Sequence, residues 1–458
     1  MGDTDMLILD YPDWIQSTLS FQLIPKAAYE MTPELSMVDK LLEDETYEEP
    51  IIKRFNTLRG RPTVPVRVYI RMMFLKHYAG MSYEDLSVEV MRNLMYRFFC
   101  RIPFEQKVPD ATALMKITTK YGEVTISEIN QRLLQSLVRK KLLTGRKVRV
   151  DTTVVEANIL FPTDAGLLHE GVKKLAKAMT RIRKSCGERA RYSTKQTKRI
   201  KEHLLSISKL LHRRTEETLH QVREITGNMA DIAREVIKKA KTLGKRLIPE
   251  TAQEKKVIGD LYQTVKDVER VVSQSDAVNQ GIKHIKDRMV SYVDPDARPI
   301  VKGKLGKKTE FGYKLQVQET ENGFVSGYQL YKGNPCDKEL VDDSLKKHIE
   351  LFGKPPKEYA ADRGYYDKDN EFLAYNCGVK NVCIPKIGKK SKDRTKFEER
   401  RTFKRLKKWR GGIEGRISCL KRKFGLRRSM LRGYSKTNIW AGFGIFAHNL
   451  RKAAVMMG

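Results

Sequence analysis

The chain has 458 residues, with 89 Lys and Arg against 56 Asp and Glu and a formal net charge of +33, which excludes a small peptide module and points to a polyanionic partner. Hydrophobic residues make up 40 % and aromatics 8 %, enough for about three domains at roughly 150 residues each and too many for a basic disordered tail. The longest apolar run, Trp440 to Ala447, falls far short of the roughly 20 residues that span a bilayer, and the start, Met1 to Asp13, carries acids where a signal peptide needs basic residues. The six cysteines, Cys100, Cys186, Cys336, Cys377, Cys383 and Cys419, form no C-x-x-C pair, so reduced thiols in a soluble cytoplasmic protein without a membrane partner are expected.

Along the chain, charge is uneven. Residues 1–50 hold twelve acids and two lysines, net −10, whereas Cys383 to Arg432 holds 20 cations and four acids, net +16. The acidic segment either docks on the basic pole when DNA is absent or limits non-specific binding. From Pro62 to Thr119 apolar residues recur three and four apart, and Ser82 before Glu84 and Asp85 suits a helix start. This predicts a small helical domain, a pattern shared by helix-turn-helix units and by helical caps.

KVRVDTTVVEAN, Lys147 to Asn158, alternates and is rich in β-branched residues, predicting a strand with Asp151 and Thr153 on the face opposite Val148 and Val150. From about Gly166 to Ser291 long polar helices follow. Their stripes, Ile200, Leu204, Ile207 and Leu211, then Val222, Ile225, Met229, Ile232 and Val236, read as core or dimer seam, and Gly244 and Ile248-Pro249 should break the run. After Pro299 the period returns to two. FGYKLQVQET, the turn at Asn322-Gly323 and FVSGYQLYKG predict a hairpin. A helix at about Cys336 to Leu351, a strand KEYAAD ending at Asp362, a helix of about Asp367 to Asn376 and a strand VKNVCIP complete the series. This order predicts an α/β fold with helices against a mixed sheet.

Three acids stand out by position: Asp151 on the first strand, Asp362 at the end of a later one, and Glu414 in the basic helix WRGGIEGRISCLKRKFG. Cleavage and transfer of a phosphodiester call for two Mg²⁺ about 3.5–4 Å apart, held by hard carboxylate oxygens from separate elements. At about 100° per residue, Arg410, Glu414 and Lys421 share one helix face. The competing reading is a surface Arg/Glu pair worth a few tenths of a kcal/mol. Glu156 faces away from Asp151, and Asp164, Asp342, Asp343, Asp367 and Asp369 read as loop or cap residues, with Asp367 a helix N-cap. Cys419, Trp440 and Phe443 read as packing.

Taken together, VDTTVVEANILFPTD (Val150 to Asp164), EFGYKLQV (Glu310 to Val317), ADRGYYD (Ala361 to Asp367), WRGGIEGRISCLKRKFGLRRSMLRG (Trp409 to Gly433) and the terminal AHNLRK resemble the DDE transposases of bacterial insertion sequences. The likeness is to the broad IS-four/IS-five superfamily, especially its ISNCY-type members. Their Y-x2-R-x3-E-x6-K signature matches at Arg410, Glu414 and Lys421, while its Tyr position falls on Lys407. The resemblance implies an RNase H-like mixed-sheet core over 145–164 and 292–458, interrupted by a long helical insertion at 165–291. An all-helical domain at 51–140 would bind the terminal repeats, behind the acidic segment 1–50. It further implies Asp151, Asp362 and Glu414 as catalytic ligands of two Mg²⁺, with Mn²⁺ able to substitute. Arg410 and Lys421 would position phosphates, and Lys407, Lys408, Arg422 and Lys423 would add counterion-release affinity. The implied partners are double-stranded DNA, at element ends and target, and a second copy when two ends are held, in the nucleoid of a prokaryotic cytoplasm. The rival functions are a metal-dependent nuclease without strand transfer and a non-catalytic DNA-binding protein derived from a transposase.

Overall fold

In the computed structural model, which describes residues 5–12, 14, 21–55, 61–186, 194–212, 215–282, 284–301 and 309–458, the chain divides into two units, Met1–Asn158 with Gly312–Gly458 and Ile159–Phe311. The first opens with helices α1 (Pro33–Leu41), α2 (Glu49–Phe55), α3 (Val66–Tyr78), α4 (Tyr83–Arg92), α5 (Leu94–Phe99) and α6 (Ala111–Arg139). Polar side chains start four of them: Thr32 accepts from the Leu35 N–H, Ser82 from Asp85, Asn93 from Tyr96 and Asp110 from Ala113. The nearly continuous apolar run in α3 buries it along most of its length, from Val66 to His77. It packs on the chain's last helix, where Tyr69 meets Phe443 and His77 meets Trp440 edge-on. The acids of the first 50 residues pair chiefly with arginines of these helices and the loops between them: Asp10 and Glu48 with Arg67, Asp39 with Arg71, Glu43 with Arg101, and Glu49 with Arg132. Glu34 reaches Arg451 in the last helix. Docking on the basic run at Cys383 to Arg432 is therefore not the main use of the acidic segment.

The second unit is a helical bundle of α7 (Asp164–Ser185), α8 (Thr194–Leu210), α9 (Glu216–Arg246) and α10 (Ala252–Asn279). Its core joins Leu168, Val172, Leu175 and Met179 to Ile200, Ile207, Met229, Ile232, Val236, Leu261 and Val265. The apolar stripes therefore meet one another inside this unit, except that Leu211 is 42 % exposed. Gly244 does not break α9, contrary to expectation. A Cβ there would lie 2.8 Å from the Tyr262 hydroxyl, so the glycine admits the neighbouring helix, and α9 ends instead at Arg246, before the Ile248-Pro249 step.

The sheet of the first unit contains β1 (Lys147–Glu156), β2 (Thr309–Thr320), β3 (Val325–Tyr331), β4 (Glu358–Ala361) and β5 (Asn381–Cys383). Its order is β3-β2-β1-β4-β5, antiparallel among the first three and parallel from β1 to β5. The expected hairpin forms, with Gly323 at φ +79° in its loop, a left-handed conformation that glycine adopts freely. Helices α11 (Val341–Phe352) and α12 (Lys368–Asn376) supply core residues for one sheet face, where Val148 and Val150 pack with Leu345, Tyr359, Ala374 and Val382. On the other face Ala360 and Cys383 meet Phe403 and Leu406 of α14 (Arg401–Lys423), which follows the short α13 (Lys392–Glu399). The last helix, α15 (Tyr434–Met457), closes the chain. Among the described residues no helix is long and apolar enough to cross a membrane, and all six cysteines are free.

Candidate active site

Asp151 and Asp362 become neighbours through parallel pairing. Val150 of β1 pairs with Ala361 of β4, and each acid is the next residue in sequence, Asp151 within β1 and Asp362 just past the end of β4. The Asp151 carboxylate is further fixed at Oδ1, which accepts from the Thr152 N–H at 2.8 Å. Glu414 comes from α14, whose buried side is Phe403, Leu406, Ile413 and Leu420.

Arg410, one turn before Glu414, draws the three acids together. Its Nη1 lies 3.4 Å from Asp151 Oδ2 and 3.8 Å from Asp362 Oδ1, and its Nη2 lies 3.5 Å from Glu414 Oε1. Exposure of the acid side chains rises across the group, from 18 % at Asp151 through 45 % at Asp362 to 72 % at Glu414, so it opens to solvent on the helix side. Three carboxylates share one guanidinium, and carboxylate oxygens are ready ligands for a further cation. The donors are all carboxylate oxygens, which suit Mg²⁺ or Mn²⁺ rather than softer ions. Among the described residues no three His, Cys, Asp or Glu groups form a ready-made metal cage; the acids are arranged around the guanidinium. Donor chemistry thus fits a hard divalent ion, with Arg410 as the present counter-charge.

A further acid is held by Thr152, the residue after Asp151. Asp337 Oδ1 accepts from Thr152 Oγ1 at 3.1 Å and from Lys314 Nζ at 3.0 Å. Beneath it Tyr365 is fully buried, and burial, reinforced by the nearby Tyr359, Asp337 and Asp151, holds its hydroxyl well above the ordinary phenol range despite a hydrogen bond to Gln316. Sequence reasoning missed Asp337 and Lys314, because nothing in their local pattern sets them apart from a helix start and an alternating strand.

Of the expected phosphate-binding residues, Lys407, Lys408, Arg422 and Lys423 are exposed along α14, Lys421 is half-buried, and Arg410 faces the acids. Gly411 and Gly415 flank Glu414 with open space where a side chain would stand. The acids set aside earlier have structural partners. Glu156 pairs with Arg428, Asp164 with Arg288, Asp342 with Lys346, and Asp343 accepts from Tyr331. Asp367 caps α12 by accepting from the Asp369 N–H. Asp342, Asp343 and Asp369 lie in helical first turns rather than in loops.

A mixed sheet with acids at adjoining strand positions and a strongly basic helix above them belongs with proteins that work on nucleic acid, and family comparison gives the class: the chain is an insertion-sequence transposase of the DDE type. Residues 23–120 match the Transposase domain (DUF772), and residues 276–450 match the Transposase DDE domain. Asp362 and Glu414 fall within the second match, whereas Asp151, ahead of the helical bundle, falls in neither. The chain is also similar to the uncharacterized protein ORF8 in nfe locus of Rhizobium meliloti, 29 % identical over 152 residues, spanning 29 % of this chain and 72 % of that protein. No solved structure matches the chain.

Proposed function

We propose that this transposase binds the terminal inverted repeats of its element, cuts phosphodiester bonds there and joins the freed 3′-hydroxyls to target DNA, with Asp151, Asp362 and Glu414 as its catalytic acids. The observation that carries the reading is the convergence of these acids, from β1, the end of β4 and α14, on Arg410 within 3.8 Å. A surface Arg/Glu pair accounts for one of those contacts and not for the other two.

Asp151 and Asp362 would hold a divalent metal from the sheet and Glu414 from the helix. When bound, such ions polarise the scissile phosphate and activate the attacking oxygen. The chain's own residues supply the rest. The sheet holds Asp151 and Asp362 in a fixed relation, and the Thr152 N–H orients the Asp151 carboxylate. Gly411 and Gly415 leave the helix surface beside Glu414 low enough for a DNA backbone to approach. Arg410 and Lys421 position phosphates next to the acids, with Lys407, Lys408, Arg422 and Lys423 extending the contact along α14. In this reading the sheet, ordered β3-β2-β1-β4-β5, is the RNase H-like core of an IS-four/IS-five, ISNCY-type enzyme. Residues 51–140 read the repeats, and two copies hold the two ends.

The test is to incubate the protein with Mg²⁺ or Mn²⁺ and DNA carrying its gene's flanks, beside Asp151→Asn, Asp362→Asn and Glu414→Gln. Cuts confined to repeat ends, products joined to target DNA, and loss of both in all three variants with end binding intact are expected. End binding without cutting would replace this reading with a non-catalytic DNA-binding protein, and cutting without joining would replace it with a nuclease.

A further inference from the structure

We infer that Glu319 is a positioning residue for the acidic site: its buried carboxylate, shared by Arg149 and Arg416, fixes the helix that carries Glu414 against the strand that carries Asp151. This rests on the reading of those two acids given above.

Glu319 lies on β2 directly opposite Arg149 of β1 and is wholly inaccessible to solvent. A carboxylate removed from water needs charged or hydrogen-bonding partners on both oxygens, and it has them. Oε2 accepts from Arg149 Nε at 2.8 Å, and Oε1 accepts from Arg416 Nε at 2.9 Å. The two arginines bracket the site, since Arg149 stands two residues before Asp151 on the same strand face and Arg416 two residues after Glu414.

Arg149 reaches beyond Glu319 into the helix. Its Nη1 donates to the Trp409 carbonyl, and its guanidinium lies 4.9 Å from the centre of the Trp409 ring. A Cβ on Gly412 would come within 2.4 Å of the same Nη1, so the guanidinium passes directly under α14 where the helix has no side chain. Arg416 continues the network on the other side. Its Nη1 donates to His448 Nε2 at 2.7 Å, and His448 Nδ1 donates to Asn449 Oδ1 at 3.1 Å. Burial first, and then the Arg416 charge, push the imidazole down to about 3, which leaves it neutral and able to accept at Nε2. Asn449 in turn brackets Val325 of β3, accepting from its N–H at 3.0 Å and donating to its carbonyl at 2.9 Å.

The apolar contacts of α14 give attraction without direction. A slip of one residue would shift Glu414 by about 1.5 Å and turn it by about 100°, far outside the roughly 0.5 Å tolerance of a catalytic constellation. Charge-assisted hydrogen bonds to Glu319 from both strand and helix are directional and set that register. Buried ion pairs of this kind are weak contributors to stability and are often replaced by apolar residues without loss, so positioning and stability can be separated by experiment.

The experiment compares the full-length protein with the apolar triple variant Arg149→Met, Glu319→Leu, Arg416→Met and with the isosteric Glu319→Gln. Readouts are thermal unfolding, repeat-end DNA binding, and Mn²⁺ binding by electron paramagnetic resonance without DNA. The expected result is a triple variant that unfolds near the wild-type temperature and binds ends normally, yet holds Mn²⁺ about 10- to 100-fold more weakly, the cost typical of losing groups that orient metal ligands. Glu319→Gln, whose side-chain amide cannot accept from both arginines, is expected to weaken Mn²⁺ binding and to alter the spectrum of the ion that remains bound. Simple destabilisation would lower the amount bound and leave the spectrum unchanged. Should the triple variant fail to fold, the glutamine variant decides alone. Wild-type Mn²⁺ affinity and spectrum in whichever variant folds would overturn the inference. Failure of the wild type to cut or join DNA would count against the proposed function only, because the Mn²⁺ readout is independent of it.

Discussion

Lys76 shows how far packing outweighs the intrinsic preference of a single residue. The residue is 1 % exposed, with its ammonium 4.7 Å from the centre of the Tyr83 ring and 3.7 Å from that of Trp440. Burial pulls its pKa down to about 7, against a smaller opposing effect of the Glu84 charge. The unfolded chain therefore binds more protons than the folded one between about pH 7 and the ordinary lysine value near 10.4, and stability should rise with pH across that window. At and below pH 7 the charged form carries the full penalty, on the order of a few kcal/mol. Lys76→Met, close to it in volume, should raise the Tm at pH 7 and remove most of the rise in Tm between pH 7 and 10. Thermal unfolding followed by circular dichroism at three or four pH values checks this, and parallel profiles for the two proteins would contradict it.

At the level of elements, glycines mark where backbones meet and where a helix lies open. A Cβ on Gly312 would stand 2.1 Å from the Val155 carbonyl oxygen and 2.8 Å from the Ala157 nitrogen. Both are backbone atoms of or next to β1, so they cannot swing aside. Gly312→Ala should therefore cost about 1–3 kcal/mol or more by forcing β2 away from β1. Gly411, with nothing within 4 Å, lies mid-helix in α14, where alanine is favoured over glycine by about 1 kcal/mol, so Gly411→Ala should stabilise by up to that amount. Urea unfolding midpoints of the two variants should move in opposite directions. Equal shifts would mean that the β1–β2 approach is looser than these distances indicate.

Across the whole molecule, charge is divided by use. Six of the twelve acids in the first 50 residues pair with Arg67, Arg71, Arg101 and Arg132, while Lys407, Lys408, Arg422 and Lys423 remain exposed on α14. Each phosphate neutralised contributes about 0.9 to the slope of log affinity against log salt. Neutralising Arg422 and Lys423 together should reduce that slope for repeat-end DNA by about 2. Fluorescence anisotropy across a salt series measures it, and an unchanged slope would remove both residues from the DNA-contacting surface.

Local pattern was enough to reveal the strand at Lys147, the hairpin after Thr309 and the bundle helices, because strand and helix periods record which face a residue occupies, and the three acids that meet on Arg410 stood out by position. The continuity of α9 through Gly244 was not legible, since the Tyr262 ring that the glycine admits belongs to another helix. Nor did any local signal distinguish Arg410 as the counter-charge of three acids from Arg410 as half of a helix surface pair. Glu319 looked like one more polar position in an alternating strand until Arg149 and Arg416 closed on it. The sequence by itself determined most of the elements and their faces, and it marked the candidate acids by position. Only the tertiary structure decided which charges become neighbours, because partners such as Arg410 and Asp151 lie 259 positions apart and are brought together by packing that no local period encodes.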